Sequence, residues 1–233
     1  SSIKQKIAKL REQIETQSKK KSGGFSLSIK KEGAAQVCLI GTTMSGKSTF
    51  LNQVTNRNVK IGSHPFTTLD PEIGTLDYKG IKIQIVEIPA ITKDFIMQEK
   101  GPMFLGILKH TDLLVIFGKN KEEVNLVLKE LQENEVKTNY IIFFDDMDMV
   151  EVIWKNLGKI KVYTKQPGKE KDFPPVAFKK GAIVKNLAET LHKDFVRKFK
   201  FARIWGKNNK FPGQKVGLNY RLNDEDVVEI HLK

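Results

Sequence analysis

Cysteine is nearly missing from this sequence. Cys38 is the only one, so no disulfide can close within the chain. It lies in the apolar run Gln36-Val37-Cys38-Leu39-Ile40 and reads as a small packed hydrophobe. Long apolar runs are missing too: none approaches the ~20 residues that span a bilayer. Residues 1–22 are too highly charged to read as a secretory leader, so a soluble, cytoplasmic protein with no membrane partner is expected. Acidic residues are scarce against basic ones, 27 to 40, which leaves a formal charge of +13. An excess of that size suits a polyanionic partner such as RNA, although a Lys-rich solvated surface has the same composition. No internal repeat is visible. The 233 residues, 39% of them hydrophobic, suffice for one large domain or two small ones.

Ile3, Ile7, Leu10 and Ile14 make a helical stripe, so residues 1–22 read as a helical arm, either coiled-coil-like or docked on its own protein. A basic linker over 23–34 follows; the run Lys19-Lys20-Lys21-Ser22-Gly23-Gly24 suits a solvated tether or an RNA contact. Strands are expected at 36–40, 81–88, 112–117 and 140–144, alternating with helices over 48–54, around 124–131 and over 150–157. Such alternation implies an α/β domain with a mainly parallel sheet, placed here at 35–158. From 159 to 233 the pattern changes to short strands at 160–163, 176–178, 202–205 and 227–232. One helix is expected there, with the stripe Val184, Leu187, Leu191, Phe195, Phe199, which suggests a separate small α+β domain.

The chemistry concentrates in Gly41-Thr42-Thr43-Met44-Ser45-Gly46-Lys47-Ser48, a full match to G-x-x-x-x-G-K-[ST] between a strand and a helix. Gly41 and Gly46 allow a nest of backbone N–H groups to face phosphate oxygens. Lys47 can neutralise β- and γ-phosphates, Ser48 can ligate Mg²⁺, and the helix that opens there adds its positive end. In the next loop, Pro65-Phe66-Thr67-Thr68 offers a hydroxyl for Mg²⁺ and backbone for the γ-phosphate. Glu87-Ile88-Pro89-Ala90 places a carboxylate at a strand end, where it can hold Mg²⁺ through water, and a backbone N–H for the γ-phosphate.

Together these motifs resemble the Obg and developmentally regulated GTP-binding (Drg) group of P-loop GTPases. Lys161-Val162-Tyr163-Thr164-Lys165, Phe199-Lys200-Phe201-Ala202, Trp205-Gly206 and Asp224-Glu225-Asp226-Val227-Val228 resemble its C-terminal TGS domain, a β-grasp-like module. The resemblance covers most of 35–233, and residues 1–22 look like the helical arm of that group. It implies GTP or GDP with Mg²⁺ as cofactors. The nucleotide-binding residues so implied are Gly41, Thr42, Thr43, Met44, Ser45, Gly46, Lys47, Ser48, Thr49, Thr67, Thr68, Ala90 and Asp148, with Ser48, Thr68 and Glu87 at the metal. A ribosome or structured RNA, together with a stabilising protein partner, is the implied company.

The chain reads as a shortened and partly degenerate member of that group. Glu87 and Ala90 stand where the group carries Asp and Gly. Asp145-Asp146-Met147-Asp148 stands where the base-reading Asn-Lys-x-Asp is expected, and the final base-contact segment and the inserted subdomain of Drg proteins are missing. Lys119-Asn120-Lys121 lies one strand too early to replace the reader. Ile91 occupies the place of a water-orienting Gln, and Met44 that of a potassium-binding Asn, so slow or absent hydrolysis is expected. Three readings stay open: a GTP-dependent switch on RNA, a pseudo-GTPase adaptor, and an ATP-binding module. In the C-terminal domain the spacing of Lys193, Arg197 and Lys200 suggests an RNA-contacting row on one helix face.

Overall fold

The structure, a computed structural model, describes residues 29–55, 70–98, 100–145 and 147–233. The helical arm expected at 1–22, and Thr67 and Thr68, lie outside the described residues.

The first sheet has the order β2-β3-β1-β4-β5. Its strands are β1 (Ala35–Gly41), β2 (Glu72–Tyr78), β3 (Ile81–Glu87), β4 (Leu113–Phe117) and β5 (Tyr140–Ile142). β3, β1, β4 and β5 run parallel, and β2 returns antiparallel on β3. β1 and β4 are buried along their whole length, as continuous apolar runs between two layers of helix require. α1 (Lys47–Val54) and α4 (Met149–Asn156) cover one face; α2 (Gly101–His110) and α3 (Lys121–Glu133) cover the other. β2 and α2 are additions to the elements legible in the sequence.

The sheet is held at its start by a buried amide pair. Gln36 donates to Gln84 at 2.7 Å, and Gln84 donates in turn to the carbonyl of Lys30 at 3.1 Å. Residues 29–34, read as part of a solvated linker, are therefore fastened to the sheet. Lys31 adds an ion pair to Asp112 at 3.1 Å.

After α4 the chain enters a second sheet of order β7-β6-β10-β8-β9. Its strands are β6 (Lys159–Thr164), β7 (Val176–Lys179), β8 (Phe199–Trp205), β9 (Gln214–Val216) and β10 (Val227–Leu232). β6 and β10 are parallel, their outer neighbours antiparallel, and α5 (Val184–Leu191) packs on one face through Val184 and Leu187. This is the β-grasp-like arrangement expected.

The single helix expected over 184–199 is two. His192 is extended (φ −164°, ψ 140°), which ends α5, and its Nδ1 accepts from the Asp194 N–H to cap α6 (Lys193–Lys198). Phe199 belongs to β8, drawn there by pairing with Leu232. Lys193 and Arg197 lie on α6 but Lys200 lies on a strand, so the three cations do not share a helix face.

The two sheets meet at Tyr78. Its ring stacks on Trp154 at 4.8 Å, its hydroxyl donates to Glu151 at 2.7 Å, and the Lys161 ammonium of β6 lies 5.9 Å from the ring. Lys161 is buried and pairs with Asp224 and Glu225, each at 3.1 Å.

Candidate nucleotide site

The loop 42–46 opens from the C-terminal end of β1 and closes into α1. Gly41 passes so close to β4 that a Cβ there would stand 2.3 Å from the Phe117 carbonyl oxygen. Gly46 has φ 96°, a left-handed conformation that a side chain would strain, and from it α1 begins. Met44 at the apex also has positive φ (56°) and points into solvent. Three rings brace α1 from below: Phe50 meets Phe143 at 5.3 Å, and Phe143 stacks on Phe117 at 4.4 Å.

The Lys47 ammonium lies across the loop, donating to the Thr42 carbonyl at 2.8 Å and, more weakly, to that of Gly41 at 3.4 Å. Burial lowers its pKa, and the nearby Glu87 carboxylate works against that shift. The ammonium also reaches the Ser45 hydroxyl at 3.4 Å, and a poorly solvated ammonium whose hydrogen-bond partners among the described residues are neutral is ready to receive an anion.

Ser48 donates from Oγ to Glu87 Oε1 at 2.7 Å. Among the described residues, Glu87 Oε2 is buried without a hydrogen-bond partner. Burial raises the pKa of this carboxyl; Ser48 and Lys47 oppose the rise. An orphaned carboxylate oxygen beside a serine hydroxyl is a donor set that fits a hard cation.

The segment after β3 is folded inward. Ile88 and Ile91 are fully buried beside Phe95, and the Ile91 N–H donates to the Gly41 carbonyl at 2.9 Å. Ala90 is half-buried beside them. The buried Glu130 of α3 accepts from the Asp94 N–H at 3.1 Å and fixes the short 3₁₀ turn Phe95–Met97.

Asp148 sits at the N-terminus of α4, where Oδ1 accepts from the Glu151 N–H at 3.2 Å and caps the helix. The structure thus brings Lys47, Ser48, Glu87 and Ala90 to one end of the sheet. It uses one oxygen of Asp148 for local structure.

One participant escaped the sequence reading. Glu123 of α3 accepts from the Thr42 hydroxyl and from the Lys119 N–H at 2.9 Å, tying the phosphate loop to the start of α3. These bonds hold its carboxyl below the usual range, the Lys119 N–H contributing most. Asn120 followed by Glu123 was the available signal, since that pair has the spacing of a helix-start box. Asn120 does cap α3, accepting from the Glu123 N–H at 2.9 Å.

The family model described as 50S ribosome-binding GTPase matches residues 36–146, and that of the TGS domain matches residues 160–232. The two matches fall on the two sheets. An uncharacterized GTP-binding protein of Methanocaldococcus jannaschii is 27% identical over 339 residues, covering 99% of this chain and 86% of its own. The human developmentally-regulated GTP-binding protein 2 is 23% identical over 332 residues, covering 98% of this chain and 91% of its own. The chain thus joins a GTPase-type domain to a TGS domain, and it is similar to Drg-type GTP-binding proteins over nearly its whole length. Both alignments are far longer than its 233 residues, so these relatives carry segments that have no counterpart in this sequence. The G domain of the T. maritima FeoB iron transporter aligns with 52% of this chain and 81% of its own, at 21% identity and a TM-score of 0.39.

Proposed function

We propose that this Drg-like chain is a GTP- and GDP-binding, Mg²⁺-dependent switch of the cytoplasm that acts on the ribosome or another structured RNA, with slow or absent hydrolysis. The observation that carries nucleotide binding is Lys47, buried in the mouth of a complete phosphate loop, where its hydrogen-bond partners among the described residues are all neutral. The names of its relatives support guanine as the base, and the description of the matching GTPase model supports the ribosome as a partner.

Ser48 and Glu87 would hold the metal, joined by Thr68 from the stretch of sequence before β2. Bound there, Mg²⁺ would neutralise charge on the terminal phosphates. The other named loop residues, Gly41 through Thr49, supply backbone N–H groups, and Thr67 and Ala90 add theirs at the γ-phosphate. Slow turnover rests on Ile91: its side chain is in the core and its N–H is engaged, so it offers nothing to orient an attacking water.

A second reading, the nucleotide-independent adaptor, is favoured by Asp148. A carboxylate that caps its own helix has one oxygen left for a guanine. The test that separates the readings is titration of the full chain with labelled GTP, GDP and ATP, with and without Mg²⁺, followed by single-turnover hydrolysis. Mg²⁺-dependent GTP and GDP binding with little turnover supports the switch. No binding of any nucleotide leaves the adaptor.

RNA contact is assigned to the second domain, including Lys193, Arg197 and Lys200, all three exposed. They contribute as a dispersed positive surface, with a stabilising protein partner as a further ligand.

A further inference from the structure

One face of the second sheet carries α5; the other carries an ordered array of rings and cations. Strand register places its residues. Tyr163, Val227 and Trp205 lie in one row across β6, β10 and β8. Glu229, Arg203 and Lys215 form the next row across β10, β8 and β9, and His231 with Phe201 the third. Their strand neighbours Val162, Val228, Ala202 and Ile204 point the other way, into the core.

Three lysine ammoniums stand over three rings of this face. Lys165 lies 4.4 Å from the Trp205 centroid, Lys215 lies 4.8 Å from that of Phe201, and Lys171 lies 4.1 Å from that of Tyr163. Phe201 and His231 stack at 4.3 Å. The one acid among them is internal: Glu229 is buried, holds His231 at 2.6 Å and pairs with Lys165 at 3.7 Å. The face presented outward is therefore aromatic and positive.

We infer that this open face is a stacking platform for single-stranded RNA. Unpaired bases would take the ring faces of Trp205 and Phe201. The displaced Lys165 and Lys215, with Arg203, would meet the phosphates. Both parts of the ligand are matched, since aromatic rings bind the π-faces of unpaired bases and the cations bind the backbone. A duplex hides its base faces and fits only the charge. An acidic peptide would answer the cations but not the rings. The inference rests on the proposed RNA-directed function and gives it a second, separate contact.

The test uses the full chain with a labelled decauridine strand and a ten-base-pair RNA duplex, read by fluorescence anisotropy, beside ribosome co-sedimentation. Phe201→Leu and Trp205→Leu keep the apolar cover and remove the ring. Each is expected to weaken decauridine binding about tenfold or more. Trp205→Tyr is expected to stay close to wild type, and binding of the duplex to change little. Melting curves of the variants separate lost stacking from lost fold. Should a Leu variant unfold, Lys165→Gln and Lys215→Gln, which leave the rings in place, are expected to weaken both ligands and flatten the salt dependence. Decauridine binding indifferent to both rings, or weaker than duplex binding, overturns the platform. Ribosome binding without decauridine binding overturns the platform and leaves the proposed function intact. A chain that binds neither overturns both.

Discussion

Ser48 Oγ and Glu87 Oε1 are 2.7 Å apart across the first sheet, joining the start of α1 to the end of β3. Glu is one methylene longer than Asp, and here the extra length brings its carboxylate directly onto the serine. Among the described residues the second oxygen, Oε2, is buried and has no hydrogen-bond partner. A cation between these groups would satisfy that oxygen.

Glu87→Gln should therefore weaken Mg²⁺ in the nucleotide complex on the order of 10- to 100-fold, the range found when groups that orient a metal are lost. Glu87→Asp should weaken it less. Manganese titration by electron paramagnetic resonance in the presence of GDP reads this directly. Equal metal affinity in all three proteins would remove Glu87 from the metal.

Lys47→Ala should abolish most nucleotide affinity, measured by fluorescent GDP titration. The ammonium is also a brace, since it links two loop carbonyls. Loop stability should drop with it, visible as faster amide exchange at Ser45 and Gly46. Wild-type affinity in this variant would rule out the phosphate loop as the site.

For Asp148→Ala the expected loss is in stability: about 0.5–2 kcal/mol, as for other N-caps. Urea unfolding gives the number. The ratio of GTP to ATP affinity should barely move, because the recognised reader, Asn-Lys-x-Asp, is here Asp145-Asp146-Met147-Asp148. A strong GTP preference that collapses in Asp148→Ala would make Asp148 the base reader after all.

Asp226 gives a pH dependence with a definite sign. It is fully buried, one oxygen accepts from the Asn223 N–H at 2.8 Å, and the other has no hydrogen-bond partner among the described residues. Burial raises its pKa above the ordinary 3.8. A carboxyl raised in the folded state favours the fold when protonated. That contribution is fully present below the unfolded pKa and is lost as pH rises through the folded one. Asp226→Asn should therefore melt higher than wild type at pH 7, and the gap should close as pH falls toward 4. A gap that widens on acidification would reverse the sign.

Much of this fold could be read in advance because its central strands are apolar runs. Val37–Ile40 and Leu113–Phe117 are buried on both sides, and the phosphate loop has a fixed spelling. β2 escaped because Glu72, Thr75 and Asp77 face outward and Gly74 interrupts the apolar side; pairing with β3 is what defines it. α2 escaped because it opens Gly101-Pro102, which reads as a turn, although proline is well placed in a first helical turn. In the second domain the stripe through Phe195 and Phe199 continued past the true end of α5, since a side-chain period does not register a backbone break at His192. The bond from Thr42 to Glu123 spans 81 positions and no local pattern reveals it.

That break changes what the cations of the second domain can do. Lys193, Arg197 and Lys200 are exposed, but Arg197 is engaged with Asp194 at 3.1 Å and Lys200 projects from β8. They are spread over two elements, so they suit phosphate contacts at separate points of an RNA. A charge-reversal triple, Lys193→Glu with Arg197→Glu and Lys200→Glu, should weaken ribosome co-sedimentation of the full chain. It should also reduce the slope of log affinity against log salt by up to roughly three contacts. Arg197→Glu alone should cost least through lost attraction, because its ion pair with Asp194 already offsets its charge, though it places two acids one helical turn apart. Decauridine binding at the open sheet face should persist in the triple, since none of the three residues touches those rings. Ribosome binding unchanged in the triple at every salt concentration would free these three residues of any part in RNA contact.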